Sequence, residues 1–310
     1  MKKTNTLKGV NSMPAGTRIV TYICLAWALI VSLLPIGWLV LSSLKKDPMA
    51  RPGFQLPESI CLDGYISTFK DLHVMRYFGN SLFVAGVSVV ISVVMISMSA
   101  YVVARMEFKG KALVNVLLYS TMFIPATALT YPVYNLVNRL HLYDTRAALI
   151  LIYSCSGIAV SFFVIKNYYD NIPRELEEAA RIDGCGYVQT WMKVIFPIAR
   201  PGIMTAAVLA FLNNWNEYYW ASLVLITREK LTVPALLSTF TTAFNTNYNG
   251  LFSAMVIIIL PPVLLYCIFS RFFIEALSGG ASERLTGEMK VFDKNAEYTK
   301  FSDIMKKTGE

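Results

Sequence analysis

Long stretches without a charged residue constrain this chain more than any other feature of its sequence. Four of them run for 26, 28, 27 and 19 residues, namely Ile19–Leu44, Tyr77–Ala104, Ala112–Asn138 and Ala147–Ile165. A fifth apolar stretch continues past Glu217 and covers about 201–226, and a sixth covers about 251–271. An α-helix needs roughly 20 predominantly apolar residues to cross a bilayer. The sequence therefore predicts an all-α polytopic membrane protein with six transmembrane helices.

The placement of charge predicts how these helices are oriented. Charged residues make up only 15% of the chain and hydrophobic residues 55%, whereas a soluble domain has nearer a quarter charged residues. With the N-terminus inside, 19 of the 28 Lys and Arg residues lie in cytoplasmic segments, which is the bias expected of such loops. We therefore divide the chain into a cytoplasmic N-terminus (1–18), a transmembrane permease domain (19–277) and a charged cytoplasmic tail (278–310).

One strongly charged segment, residues 169–201, interrupts the apolar pattern on the predicted cytoplasmic side. Pro173 and three following glutamates suit the start of a short helix, because carboxylates are favoured near the positive end of the helix dipole. Gly184 can adopt the left-handed conformation that ends a helix. A second helix from Tyr187 to Phe196 would place four apolar side chains at helical spacing: Val188, Trp191, Met192 and Ile195.

This segment resembles the signature loop of the permease subunits of ABC importers. That pattern is Glu-Ala-Ala, three residues, Gly, nine residues, an aliphatic residue, one residue, a hydrophobic residue and Pro. The matching positions here are Glu178, Ala179, Ala180, Gly184, Val194, Phe196 and Pro197. Valine and phenylalanine replace the usual isoleucine and leucine. Three further segments also resemble the carbohydrate (maltose-type) branch of this family, and specifically the six-span partner of its permease pair. These segments are Asn80-Ser81, Asn214–Glu217 and Arg271–Ala281.

The resemblance implies the function and its partners. It implies half of a translocation pore for a sugar or oligosaccharide in the bacterial plasma membrane, with a second homologous permease, a dimeric cytoplasmic ABC ATPase and an extracytoplasmic sugar-binding protein. ATP and Mg would bind the ATPase, with no cofactor in this chain and no nucleic acid as a partner. The residues implied to contact the ATPase are Glu178, Ala179, Ala180, Asp183 and Gly184. Val194, Phe196 and Pro197 are expected to brace the loop against the spans.

A polar cluster near the end of the fifth apolar stretch is a candidate for the sugar path. Asn213, Asn216, Glu217 and Trp220 fall at i, i+3, i+4 and i+7, hence on one face of a continuous helix. An ionisable group within a span is costly and usually faces a wet cavity. The alternative is an aromatic belt at the outer membrane interface, with Glu217 simply hydrated.

Two other classes of function are less consistent with the residues. A secondary transporter usually shows internal repeats with paired broken helices, and a membrane-embedded enzyme needs a convergent polar cluster; neither pattern is evident. The two histidines and five cysteines have no metal-binding spacing. Gly110-Lys111 lacks the remaining residues of a phosphate-binding loop, so the sequence predicts a non-enzymatic subunit without a metal or catalytic site.

Overall fold

The computed structural model describes residues 14–50, 52–70, 73–240 and 246–268, and the predicted tail at 278–310 lies outside them. Within these ranges the secondary structure is helical, with no β-strand. The first seven helices are α1 (Ala15–Ser43), α2 (Asp63–Lys70), α3 (Val74–Arg105), α4 (Lys111–Thr121), α5 (Thr130–Arg139), α6 (Arg146–Ser154) and α7 (Ile158–Asp170). The next seven are α8 (Glu175–Ile182), α9 (Tyr187–Thr190), α10 (Phe196–Ile198), α11 (Arg200–Trp215), α12 (Tyr219–Val224), α13 (Val233–Leu236) and α14 (Tyr248–Ile268).

Irregular helical turns connect several of these elements. A π-helical segment, Trp191–Ile195, joins α9 to α10. Three short 3₁₀ turns cover Ala126–Leu129, Arg228–Lys230 and Leu237–Phe240.

Three helices of the described chain are long and apolar enough to cross a membrane by themselves: α1, α3 and α14. They coincide with the first, second and sixth predicted spans. Helix α3 has 32 residues, which at about 1.5 Å per residue gives a length of roughly 48 Å. It is therefore long enough to cross the bilayer with its ends in the interfacial regions.

The third and fourth predicted spans each form two helices instead of one. Helices α4 and α5 meet at 100°, and α6 and α7 meet at 48°. The first break precedes Pro125, which lacks an N–H and disfavours the helical conformation at Ile124. The second contains Gly157 at a φ of +64°, a left-handed conformation that glycine adopts without steric cost.

The predicted fifth span, 201–226, is wrong as a single helix. Helix α11 ends at Trp215, and a turn over 216–218 precedes the short helix α12. No glycine or proline lies between residues 202 and 234, so the usual sequence signal of a break is missing. At the other end, α11 meets the 187–198 segment at 81°.

The described chain divides into two compact units, one of which comprises residues 14–50, 52–70, 73–77, 235–240 and 246–260. Within it, the Asn249 amide donates to the carbonyl oxygens of Ser43 (3.3 Å) and Lys45 (2.7 Å). The rings of Trp38 and Phe252 pack edge to face with centroids 5.4 Å apart. These contacts hold the end of α1 against the start of α14.

The described residues of the other unit are 78–234 and 261–268. Its apolar core joins α3, α7 and α11 to the 187–199 segment, and Phe162, Ile165, Tyr169, Ile195 and Ala206 are at most 1% exposed. Gly202 lets α11 pack closely against α7, because a Cβ added at this position would lie 2.2 Å from the Tyr168 ring. The charged segment is therefore packed on the same core as the membrane helices.

Candidate coupling surface and sugar path

The charged segment folds into two short helices joined by a turn, as the sequence predicts. Helix α8 begins at Glu175, two residues after Pro173. At its other end Gly184 has a φ of +82°. The Cys185 N–H donates to the Ala180 carbonyl at 2.9 Å, and the Gly184 N–H donates to the Arg181 carbonyl at 3.0 Å. These two bonds form a Schellman motif, which sets the direction in which the chain leaves α8.

Buried polar contacts attach this loop to the membrane helices. The Trp191 indole donates to the Tyr169 hydroxyl at 3.2 Å, and the same hydroxyl is hydrogen-bonded to Ser97 on α3. Tyr169 is completely buried. Because Tyr169 lies near the end of α7, this group connects three parts of the chain at the base of the loop.

The bracing residues differ in part from those predicted. Val194 and Phe196 are partly buried against the core, but the side chain of Pro197 is exposed. Trp191 and Ile195 are buried and supply much of the bracing. The expected single apolar face of the second helix is wrong, since Val188 and Met192 are exposed.

The five residues predicted to contact the ATPase are not all accessible, because four of them are exposed and one is buried. Glu178, Ala179, Asp183 and Gly184 are exposed. Ala180 is only 6% exposed, because it lies on the inner face of α8. Its prediction as a contact residue is therefore not consistent with the structure, and its small side chain instead allows α8 to approach the subunit.

Exposed apolar side chains surround these acidic residues, and sequence reasoning did not assign them a role. Ile182 is 87% exposed, and Leu176, Tyr187, Val188 and Met192 are also exposed. The Arg181 guanidinium lies 4.8 Å from the centre of the Tyr187 ring, which links α8 to α9. We call the exposed residues Leu176, Glu178, Ala179, Ile182, Asp183, Gly184, Tyr187, Val188 and Met192 the coupling surface. A grouped apolar and acidic surface of this kind is typical of a protein contact.

A buried ion pair on the opposite face of α8 was also missed. The Arg105 Nε atom lies 2.8 Å from Glu177 Oε1, and the two side chains are 5% and 7% exposed. Glu177 adjoins Glu178, but Glu177 is buried against the subunit whereas Glu178 is exposed. Helical spacing from Ala180, three residues along, would have placed Glu177 on the inner face once Ala180 was known to be buried.

The polar cluster near the end of α11 is arranged differently from the prediction. Because the helix stops at Trp215, the four candidate residues Asn213, Asn216, Glu217 and Trp220 do not share one helical face. The Glu217 carboxylate accepts hydrogen bonds from the Tyr153 hydroxyl at 2.6 Å and from the N–H groups of Trp220 (2.7 Å) and Ala221 (3.1 Å). It therefore starts helix α12, by giving the first-turn N–H groups an acceptor. Asn213 and Asn216 are exposed.

A second acid organises the loop beyond α12. Asp144, which has a φ of +56°, accepts the N–H groups of Ile226 and Thr227, both at 2.9 Å. It also accepts the Thr227 hydroxyl and the Lys230 ammonium, the latter at 2.8 Å. Partial desolvation raises the pKa of Asp144, but the hydrogen bonds from Lys230 and Thr227 outweigh it and hold the pKa well below its usual range.

The same loop is tied to the start of α3. The Asn80 amide donates to the carbonyl oxygens of Glu229 and Leu231, both at 2.9 Å. Ser81 accepts the Val233 N–H at 2.8 Å. The Asn80-Ser81 pair noted in the sequence therefore has a structural role at this end of the unit.

Comparison with known proteins identifies a matching family and similar sequences. The sequence profile described as "Binding-protein-dependent transport system inner membrane component" matches residues 92–279, which include the whole coupling surface. The chain is 32% identical over 271 residues to the trehalose transport system permease protein SugB of Mycobacterium tuberculosis, covering 86% of this chain and 98% of that protein. It is 34% identical over 260 residues to the arabinooligosaccharides transport system permease protein AraQ of Halalkalibacterium halodurans, covering 82% and 92%.

A solved structure shares the fold. A chain of a bacterial ABC transporter involved in the import of the acidic polysaccharide alginate superposes with a TM-score of 0.73, covering 84% of this chain and 99% of that chain, at 24% identity. The likeness extends over almost the whole of the solved chain.

Proposed function

Because the chain belongs to the family of binding-protein-dependent transport system inner membrane components, we propose that it forms half of the translocation pore of a sugar importer. It is a membrane-spanning permease subunit of an ABC transporter. Relatives named for trehalose and for arabinooligosaccharides support a carbohydrate cargo. ATP hydrolysis is assigned to a partner ATPase, since Gly110-Lys111 is the sole Gly-Lys pair and lacks a phosphate-loop pattern.

The observation that carries the coupling role is the two-sided loop at residues 169–201. Its inner face is fixed to the subunit through Glu177, Ala180, Trp191 and Ile195, which are all buried. Its outer face, the coupling surface, is exposed and combines acids with apolar side chains. A partner that binds this surface therefore displaces a rigid element instead of a flexible loop. Conformational coupling between two sites requires such an element. We assign the ATPase contact to this surface, on the cytoplasmic side.

The remaining parts of the complex follow from this assignment. A second, homologous permease completes the pore, and a sugar-binding protein delivers the cargo from outside. Both termini then lie in the cytoplasm of a bacterial cell, with the chain in its plasma membrane. In the sugar path we assign contacts to the exposed amides Asn213 and Asn216 and to the Trp220 ring. Glu217 holds the turn that positions them.

The coupling role is tested in a complex reconstituted in liposomes with the partner permease, the ATPase and the binding protein. Glu178→Lys reverses a charge on the coupling surface without touching the core. We expect loss of ATPase capture in a pull-down and loss of substrate-stimulated hydrolysis. Glu229→Lys, an equally exposed charge reversal on the predicted outer side, is the matched control. Normal capture and stimulation with Glu178→Lys would refute the assignment.

The cargo class is tested by uptake into the same liposomes. Radiolabelled trehalose, arabino-oligosaccharides and an amino acid are compared, with ATP inside and the binding protein outside. We expect uptake of a carbohydrate alone. Uptake of the amino acid but of no carbohydrate would exclude a sugar importer while leaving the coupling role intact.

A further inference from the structure

The buried ion pair between Arg105 and Glu177 joins two elements with different roles. Arg105 is the last residue of α3, and Glu177 lies in α8, whose outer face belongs to the coupling surface. Arg105 Nε and Glu177 Oε1 are 2.8 Å apart without forming a well-directed hydrogen bond, and both side chains are almost fully removed from water. Burying two charges is expensive, and their attraction repays this only when the geometry is good. This pair is therefore better explained by the position in which it holds α8 than by a net gain in the stability of the subunit.

Further contacts make the attachment directional. The Arg105 guanidinium also donates to the carbonyl oxygen of Ile172, in the segment that leads into α8. The Tyr101 hydroxyl, one turn earlier on α3, donates to Glu177 Oε2 at 3.5 Å. One end of α3 thus contacts α8 and its entry segment at separate points. Such an arrangement resists rolling and sliding of an eight-residue helix, which apolar packing alone would permit.

We propose that Arg105 and Glu177 are positioning residues that make α8 move with α3 as a single body. Under this proposal a displacement imposed on the coupling surface reaches α3 through the ion pair. Helix α3 is about 48 Å long and transmits the movement across the membrane. The proposal rests on the proposed function, because α8 must receive its displacement from the ATPase. It adds that capture of the ATPase and transmission of its movement depend on different faces of α8.

The test uses the complete reconstituted complex and separates capture, hydrolysis and transport. Glu177→Gln removes one charge of the pair and leaves Arg105 uncompensated. The double variant R105Q/E177Q removes both charges, so no unpaired charge remains buried to unfold the subunit. Glu175→Gln is the matched control, because it makes the same chemical change at an exposed position of the same helix that lies outside the coupling surface. Size-exclusion chromatography with the partner permease verifies assembly of the double variant.

We expect R105Q/E177Q to capture the ATPase within about twofold of the wild type and to hydrolyse ATP, while sugar transported per ATP falls at least tenfold. The charge-swapped variant R105E/E177R restores an ion pair and should recover part of this ratio. A merely structural role would instead lower assembly and leave the ratio unchanged.

Two results would overturn the proposal. Wild-type transport per ATP in R105Q/E177Q would show that the pair is not needed for transmission. Loss of ATPase capture in assembled R105Q/E177Q would show that the pair is needed for binding the ATPase instead of for transmitting its movement. The second result would leave the coupling role of the surface standing, whereas normal ATPase capture and stimulation in Glu178→Lys would refute the coupling role on which this proposal rests.

Discussion

Replacing Glu217 with alanine should destabilise the subunit as well as affect transport. The carboxylate is the shared acceptor for the Tyr153 hydroxyl and for the N–H groups of Trp220 and Ala221. Glu217 therefore has a buried partner, because Tyr153 is only 2% exposed. Alanine would leave the Tyr153 hydroxyl without its acceptor, and it would also remove the acceptor of the Trp220 and Ala221 N–H groups in the first turn of α12.

The expected cost follows from these contacts. A buried donor that loses its acceptor costs about 1–3 kcal/mol. Removing a side chain that accepts the first-turn N–H groups of a helix costs roughly 0.5–2 kcal/mol. Together these terms destabilise the native state by about 1.5–5 kcal/mol. Glu217→Gln keeps one acceptor oxygen and should lose less.

A double-mutant cycle identifies the contact with Tyr153. Tyr153→Phe removes the donor, so the double variant Y153F/E217A no longer contains an unsatisfied buried hydroxyl. We expect a coupling free energy of about 1–2 kcal/mol between the two positions, in the range measured for residues in direct contact. The assay is equilibrium unfolding of the purified permease pair in detergent, with sugar uptake measured in parallel.

One result would refute this reasoning. If Glu217→Ala unfolds like the wild type, shows no coupling with Tyr153→Phe and still abolishes uptake, the carboxylate contacts the passing sugar. Its role would then be that of a ligand instead of a turn-forming residue.

Three further changes test the packing of the loops and helices. Gly184→Val should cost about 1–3 kcal/mol of local strain, because the positive φ disfavours a β-branched residue, and should abolish substrate-stimulated ATPase activity. Gly186→Val, with the same added bulk at an ordinary φ of −72° and open space around it, should keep that activity. Gly202→Ala should lower the free energy of unfolding of the permease pair by roughly 1–3 kcal/mol, since the new Cβ would overlap the Tyr168 ring. Gly186→Ala should not lower it. Asp144→Asn keeps a residue that tolerates positive φ but removes the charge. Because the folded-state pKa of Asp144 is lowered, the stability that it contributes is present above about pH 4 and is lost as the pH falls through the folded-state pKa. The difference in unfolding free energy between wild type and Asp144→Asn should therefore be largest near neutral pH and shrink in acid, and a difference that does not depend on pH would contradict this.

The amino-acid sequence alone determined the helical membrane architecture and the location of the charged, two-helix loop at residues 169–201. Both depend on local properties. An uncharged stretch of about 20 residues has few alternatives to a helix in lipid, since each backbone polar group must be satisfied within the segment. Gly184 could be placed in a left-handed turn because a helix that ends in that conformation favours glycine whatever surrounds it. The breaks before Pro125 and at Gly157 also have local causes, although the hydrophobic pattern hid them.

The tertiary structure decided which face of each loop helix is buried. Periodicity grouped Val188 with Trp191, but contact with the core separates them into an exposed and a buried residue. The same applies to Glu177 and Glu178, which are chemically identical neighbours with opposite surroundings. Their assignment depends on where α3 ends, and Arg105 lies 72 residues earlier in the chain.

The end of α11 was likewise decided by a distant contact. The region around Glu217 has no glycine or proline to signal a break, and its polar spacing suited a continuous helix. Tyr153, 64 residues earlier, donates to the carboxylate that accepts the first N–H groups of the next helix. A side chain that competes for backbone hydrogen bonds can end a helix that local propensity would continue, and its position is set only when the helices pack.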